Sequence, residues 1–264
     1  MGRGRCALGH VIAVVSGKGG TGKTSFAVNV AVSLCALGER VLLIDADAGL
    51  RSLDIPLGMT DSLLFTYADV IAGSVSLKEA SVVHPIVRNL RVLTAPATEA
   101  MCATLTRAGI ESLVRRARDH FAYTIIDCSA GLREDILCFA AAAGHAVIVS
   151  TGDQTALRAA QKTSALLREL GVSDQRLVVN RVRERLIDEG ASATIDGAMD
   201  LTGLPLLGVV PEDRDVIVCA NRGKLLLLES RGHARRAFLN IAHRLRGERV
   251  RLLYGIRGKL KGTY

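Results

Sequence analysis

The sequence predicts an α/β protein: a doubly wound, mostly parallel sheet flanked by helices, with a basic amphipathic tail at the C-terminus. Three observations carry this. Short apolar runs of strand length alternate with longer stretches of helical periodicity, the pattern of successive β-α-β units. Hydrophobic residues make up 49% of the 264 residues but aromatics only 3%. Ala, Val, Leu and Ile must therefore fill the core, as suits a sheet covered on both faces. The charge is also lopsided. Residues 231–264 carry eight Arg and two Lys against one Glu, a net of +9 in a chain of +8, so residues 1–230 sum to −1. The basic character belongs to the tail and not to the domain.

Taken in order, the strand candidates are Val11–Val15, Val41–Asp45, Leu90–Thr94, Tyr123–Asp127, Ala146–Ser150, Arg176–Asn180 and Leu207–Val210. The helical candidates between and after them are Lys23–Leu37, Asp61–Ala72, Thr98–His120, Arg133–Ala143, Thr155–Leu170, Ser192–Leu201 and His233–Leu245. Gly38, Gly171 and Gly203 follow helical runs, as C-terminal caps do. No internal repeat, low-complexity segment or linker interrupts the pattern. One domain over 1–246 with an appendage at 247–264 is the simplest division.

Between the first strand and the first helix lies Ser16-Gly-Lys-Gly-Gly-Thr-Gly-Lys-Thr-Ser25. Gly17 through Thr24 fits the Gly-x-x-x-x-Gly-Lys-[Ser/Thr] phosphate loop, in the strand–loop–helix context that gives the pattern physical meaning. Gly17, Gly19, Gly20 and Gly22 permit torsions and close approaches that a Cβ would block. Their N–H groups, with that of Thr21 and the helix N-terminus, can surround polyphosphate oxygens. Lys23 would neutralise the β- and γ-phosphates, and the Thr24 hydroxyl would bind Mg²⁺. Lys18, a second lysine inside the loop, is not required by the ordinary pattern.

Ligands collect at the carboxyl ends of strands in such sheets, and acidic residues stand there. Asp45 and Asp47 close the second strand and Asp127 closes the fourth. Asp45 and Asp127 are placed to hold Mg²⁺ or its waters, and Asp47 to orient an attacking water. Strand-end aspartates also cap turns, but two of them beside a phosphate loop favour the metal reading.

Other classes find less support. The six cysteines show no Cys-x-x-Cys spacing and read as buried, reduced thiols. Arg3 and Arg5 precede an apolar run that leads directly into the phosphate loop, so cleavage as a signal peptide would destroy the site. Met1-Gly2 opens like a myristoylation signal, but Cys6 stands where Ser or Thr is needed. The apolar region Ile136–Thr151 is short for a span of about 20 residues. The expectation is a cytoplasmic protein, not integral to a membrane.

The loop with its extra lysine, Gly17–Ser25, together with Asp45-Ala-Asp-Ala-Gly-Leu-Arg-Ser-Leu-Asp54, resembles the MinD/ParA family of ATPases. Ile126–Gly131, Val179-Asn-Arg181 and Leu207–Asp213 are similar to its MinD branch. The resemblance runs from about Val11 to Ser230 and implies the P-loop NTPase fold. It implies ATP and Mg²⁺ as cofactors, with the loop residues through Ser25 holding nucleotide. Lys18 would act across an ATP-dependent homodimer on the partner's phosphates, while Lys23 and Thr24 act within the subunit. Asn180, with Arg181 beside it, would meet adenine, and Pro211 and Glu212 would lie near the base. Implied partners are a MinC-type division inhibitor and a MinE-type or other topological regulator. Two departures stand out. Ser52 replaces a common Asn, which bears on water positioning and turnover, and Ser129 replaces the usual Pro of Asp-x-Pro-Ala-Gly.

In the tail, a helical projection puts Leu252, Leu253, Ile256 and Leu260 on one face, edged by Arg and Lys. That is the pattern of a helix lying in an anionic membrane surface. Gly255, Gly258 and Gly262 oppose helix by about 1 kcal/mol each, which points to a helix formed on lipid. Packing of the stripe on the domain, or contact with nucleic-acid phosphates, are the other readings. The family resemblance favours the membrane, and few aromatics are present to stack on bases.

Overall fold

The computed structural model describes residues 8–47, 52–59, 64–97, 105–129, 131 and 133–252. The strands are β1 (His10–Val15), β2 (Val41–Asp45), β3 (Val82–Val83), β4 (Leu90–Leu93), β5 (Tyr123–Asp127), β6 (His145–Ser150), β7 (Asp174–Val182) and β8 (Leu206–Pro211). They form one sheet in the order β3-β4-β2-β5-β1-β6-β7-β8. All pairings are parallel except β3 with β4. Every residue of β2 and β5 is buried, as is every residue of β1 after His10. Strands covered on both faces lose the alternation of a half-exposed sheet and read as unbroken apolar runs, which is why the sequence located them.

One face carries α1 (Lys23–Ala36) and α12 (His233–Leu245), which pack together with α10 (Arg214–Asn221) and α11 (Leu226–Glu229) nearby. The other carries α3 (Tyr67–Ile71), α5 (Arg107–His120), α6 (Glu134–Ala143), α7 (Gln154–Glu169) and α9 (Ile195–Thr202). The few aromatics sit where they join elements. Tyr67 of α3 meets Phe139 of α6 edge-on at 5.4 Å, and Phe26 of α1 meets Phe238 of α12 at 6.2 Å. Cys35, Cys128 and Cys219 are buried and reduced, as expected, and Cys138 is partly buried. Burial pushes the Cys35 thiol up to about 12, which keeps it unreactive. Cys6 and Cys102 lie outside the described residues.

Two helices are shorter than their periodicity suggests. Among the described residues, the expected Asp61–Ala72 helix is only Tyr67–Ile71, because Thr66 and Asp69 form a capping box that fixes its start. The expected Thr98–His120 helix begins at Arg107, where the Thr106 hydroxyl accepts from Gly109 N–H at 3.1 Å. Residues 61–63 and 98–104 of those expectations lie outside the described residues. Short elements that the sequence did not announce are α2 (Asp54–Leu57), α4 (Leu77–Ala80), α8 (Glu184–Asp188), α10, α11 and the antiparallel β3. No helix among the described residues is long and apolar enough to cross a membrane.

After α12 the chain folds back on the domain. Asn240 donates to the Arg251 carbonyl at 3.0 Å, and Leu252 is half-buried against the apolar cluster. Leu253, Ile256 and Leu260 of the expected membrane stripe lie outside the described residues.

Candidate nucleotide and metal site

β1 ends at Val15, and the loop that follows is positioned by contacts with distant segments. A Cβ on Gly17 would stand 2.3 Å from the Ala159 carbonyl oxygen of α7, so only glycine fits under that helix. Gly22 has φ +90°, and a Cβ there would lie 2.4 Å from Asn180 Nδ2. Gly20 is also left-handed, at φ +80°. Ser16 Oγ donates to the Lys18 carbonyl at 2.9 Å, and Asn180 Nδ2 donates to the Thr21 carbonyl at 2.8 Å. Two loop carbonyls are thereby occupied by side chains. Gly22 caps α1 with no side-chain hydrogen bond to the first turn. The helix therefore begins with free N–H groups and its positive end at Lys23 and Thr24. This is an anion cradle built from backbone.

Beside it, Asp45 and Asp127 are register partners at the ends of adjacent strands β2 and β5. Both are buried. Burial raises Asp45 to about 7, helped by the charges of Asp127 and Asp47 and opposed by N–H donors from Asp47 at 2.9 Å and Leu53 at 3.2 Å. Burial raises Asp127 to about 6, against the Thr24 hydroxyl that bonds it and the charge of Lys23. Ser52 Oγ sits 3.4 Å from an oxygen of each carboxylate, bridging them. Asp127 Oδ1 is buried without a hydrogen-bond partner, and Thr21 Oγ1 and Ser129 Oγ are likewise unpaired.

Two facing buried carboxylates, both pushed up and one with an unpaired oxygen, are what a divalent cation would relieve. The donors are all oxygen, which suits Mg²⁺. Among the described residues no group of three His, Cys, Asp or Glu could hold a metal by itself. Few protein ligands, completed by phosphates and water, are the ordinary arrangement for Mg²⁺. Thr24, Asp45 and Asp127 thus fit the ion assigned to them. Asp47 is half-buried two residues beyond the end of β2.

Lys18 points elsewhere. Its Nζ reaches Thr155 Oγ1 at 3.0 Å and Asp153 Oδ1 at 3.4 Å, at the start of α7, with its side chain half exposed. Burial would raise Asp153, but bonds from Thr151, Thr155 and the Ala156 N–H, with Lys18, hold it well below the usual carboxylate range. On the other flank a cleft of about 30 Å³ gathers Gly22, Ser25, Asn180, Arg181, Pro211 and Glu212. Asn180, Arg181, Pro211 and Glu212 are the residues expected near the nucleotide base, and Gly22 and Ser25 belong to the phosphate loop. Arg181 is left-handed at φ +55°, alone among the described non-glycine residues. It falls in a register shift where β7 passes β8.

Sequence reasoning missed several participants. Asp153 and Thr155 had the signal of an N-cap, since Asp153 accepts from the Ala156 N–H at 3.0 Å, but nothing local linked them to Lys18. Arg183 grips Glu212 through two nitrogens and fixes its carboxylate beside the cleft. Ile217, more than half exposed, lines the same cleft. It lies on α10, which was not expected.

Glycine cradle, paired lysines and strand-end carboxylates on a doubly wound sheet define a phosphate-loop nucleotide-binding protein. Residues 12–227 match the family model described as the CobQ/CobB/MinD/ParA nucleotide binding domain. The septum site-determining protein MinD of Thermotoga maritima is 36% identical over 249 residues, covering 93% of this chain and 91% of that protein. The MinC:MinD cell division complex of Aquifex aeolicus superposes with a TM-score of 0.86 at 28% identity, covering 93% of this chain and 98% of that chain. MinD of Pyrococcus horikoshii, solved with Mg-ADP, gives a TM-score of 0.80 at 25% identity over 90% and 96%. The chain belongs to the MinD/ParA family of nucleotide-binding ATPases.

Proposed function

We propose that this protein is a MinD-type ATPase that hydrolyses ATP, dimerises on ATP, and binds the inner face of the cell membrane reversibly to position a MinC-type division inhibitor. A MinE-type or other topological regulator would set its turnover. The observation that carries the reading is the two-lysine loop, with Lys23 at the head of α1 and Lys18 on the exposed rim.

In this reading the loop N–H groups and Lys23 hold the β- and γ-phosphates, and the base lies against Asn180, Pro211 and Glu212, whose cleft of about 30 Å³ must open to admit it. Mg²⁺, when bound, would supply charge neutralisation at the phosphates. Thr24, Asp45 and Asp127 would hold it, with Ser52 keeping the carboxylates in register. Asp47 would align the attacking water. Catalysis is then mostly positioning and electrostatics. Lys18 would leave Asp153 for the partner subunit's nucleotide. An exposed ion pair of this kind is worth about 0–1 kcal/mol, so releasing it costs little. A dimer that closes only on ATP makes nucleotide state and assembly state the same variable.

The tail beyond Leu252 supplies the membrane attachment. One copy binds weakly, and two in a dimer bind through avidity. Sedimentation with anionic liposomes tests this. ATP-dependent pelleting that is absent with ADP and lost on deleting 249–264 is the expected result. ATP-dependent binding to plain duplex DNA without lipid binding would instead make the chain a ParA-like segregation ATPase.

A further inference from the structure

A cavity lies at the amino ends of β2, β4 and β5, the opposite end of the sheet from the phosphate loop. It has a volume of about 440 Å³, within the range of small-ligand sites. Its rim is cationic: Arg40 before β2, Lys78 on α4, Arg88 before β4, and Arg116 and His120 at the end of α5. Among the described residues no carboxylate lines it. Arg40, Arg88 and Arg116 are exposed and form no ion pair with a described residue, and Lys78 is exposed beside Glu79. The body of the cavity is apolar, with Leu77, Val83 and half-buried Phe121.

The wall between these parts is fastened. Arg91 of β4 donates to the Lys78 carbonyl at 2.6 Å and to Ser81 Oγ at 2.9 Å, so the α4 segment is tied to the sheet edge. Across the cavity the Arg40 carbonyl accepts from Ala122 N–H at 3.0 Å, and Asn89 O accepts from Val41 N–H at 2.9 Å. Four exposed cations around one concavity raise the local positive potential, which concentrates anions there. In a domain whose residues 1–230 sum to −1, the concentration here is local and not a by-product of overall charge. Guanidinium forks favour phosphate among anions.

We propose that this cavity is a second ligand site, for a phosphate ester whose charge meets Arg40, Arg88 and Arg116 and whose organic group rests on Phe121, Leu77 and Val83. It is separate from the nucleotide site, so occupancy there would let a small phosphorylated molecule report on the ATPase from behind the sheet.

The test is calorimetric titration of the full chain saturated with Mg-ADP, using phenyl phosphate, glycerol phosphate and sodium sulfate as probes. One ester binding per chain, tighter than sulfate and weakened by salt, is the expected result. Preference for phenyl phosphate identifies an aryl or nucleotide-like ligand, and preference for glycerol phosphate a lipid-headgroup-like one; either supports the site. The exposed triple substitution Arg40→Ser, Arg88→Ser, Arg116→Ser should weaken ester binding at least tenfold while Mg-ADP affinity stays unchanged. No ester binding above sulfate, or equal binding by the triple variant, overturns the proposal.

Discussion

Lys18 and Lys23 belong to one short loop, yet their surroundings differ: Lys23 heads α1, whereas Lys18 is held at the rim by Asp153 and Thr155. Lys18→Ala should therefore keep nucleotide affinity and change the unfolding free energy by less than about 1 kcal/mol, while phosphate release collapses. Unchanged release from that variant would remove Lys18 from the reaction. Asp47→Ala should retain ATP binding and liposome attachment but lose turnover; single-turnover phosphate release measures it. Gly17→Ala acts on the fold, because the added methyl would meet the Ala159 backbone carbonyl. A rigid neighbour cannot yield, so a loss of roughly 1–3 kcal/mol is expected in urea unfolding, with nucleotide affinity falling as the loop is displaced.

At the scale of elements, α6 and α3 are joined by the fully buried pair Phe139 and Tyr67. Phe139→Ala should cost about 3–5 kcal/mol, measured by urea denaturation with Mg-ADP present and absent. The turn between β3 and β4 depends on His84, buried with Nδ1 accepting from the Ile86 and Val87 N–H groups and Nε2 donating to the Leu57 carbonyl. A second proton on that ring would face two N–H donors, and burial also holds the ring below its ordinary range. The unfolded chain then takes up the proton first as pH falls. His84's contribution is complete above about pH 6.5 and declines below it. The raised pKa values of Asp45 and Asp127 act in the opposite sense, so the measurement is a difference: the stability gap between wild type and His84→Asn should shrink from pH 7.5 to pH 5. Strands were legible because burial on both faces leaves unbroken apolar runs. Four- and five-residue helices were not, since a single turn has no periodicity to read. Their signals are caps such as Ser76 with Glu79 and Thr66 with Asp69.

Across the whole molecule, legibility followed distance along the chain. The loop, Asp45 and Asp127 could be read because each lies at the end of its own strand, whereas Pro211 and Glu212 were expected only through the family resemblance. The tether on Lys18 spans 135 and 137 positions and the Arg183–Glu212 pair spans 29, separations that no local pattern encodes. One of these long contacts has a consequence for how the protein is made. Gly17 needs Ala159 above it and Gly22 is backed by Asn180, whose amide also holds Thr21 at a separation of 159 residues. The glycine cradle is synthesised among the first residues but acquires its shape only after β7 has emerged and joined the sheet. Since translation proceeds at about 5–20 residues per second, a nascent chain carries its phosphate motif for roughly ten to thirty seconds before it can retain a nucleotide. A chain stopped short of β7 therefore carries the phosphate motif without the neighbours that shape it.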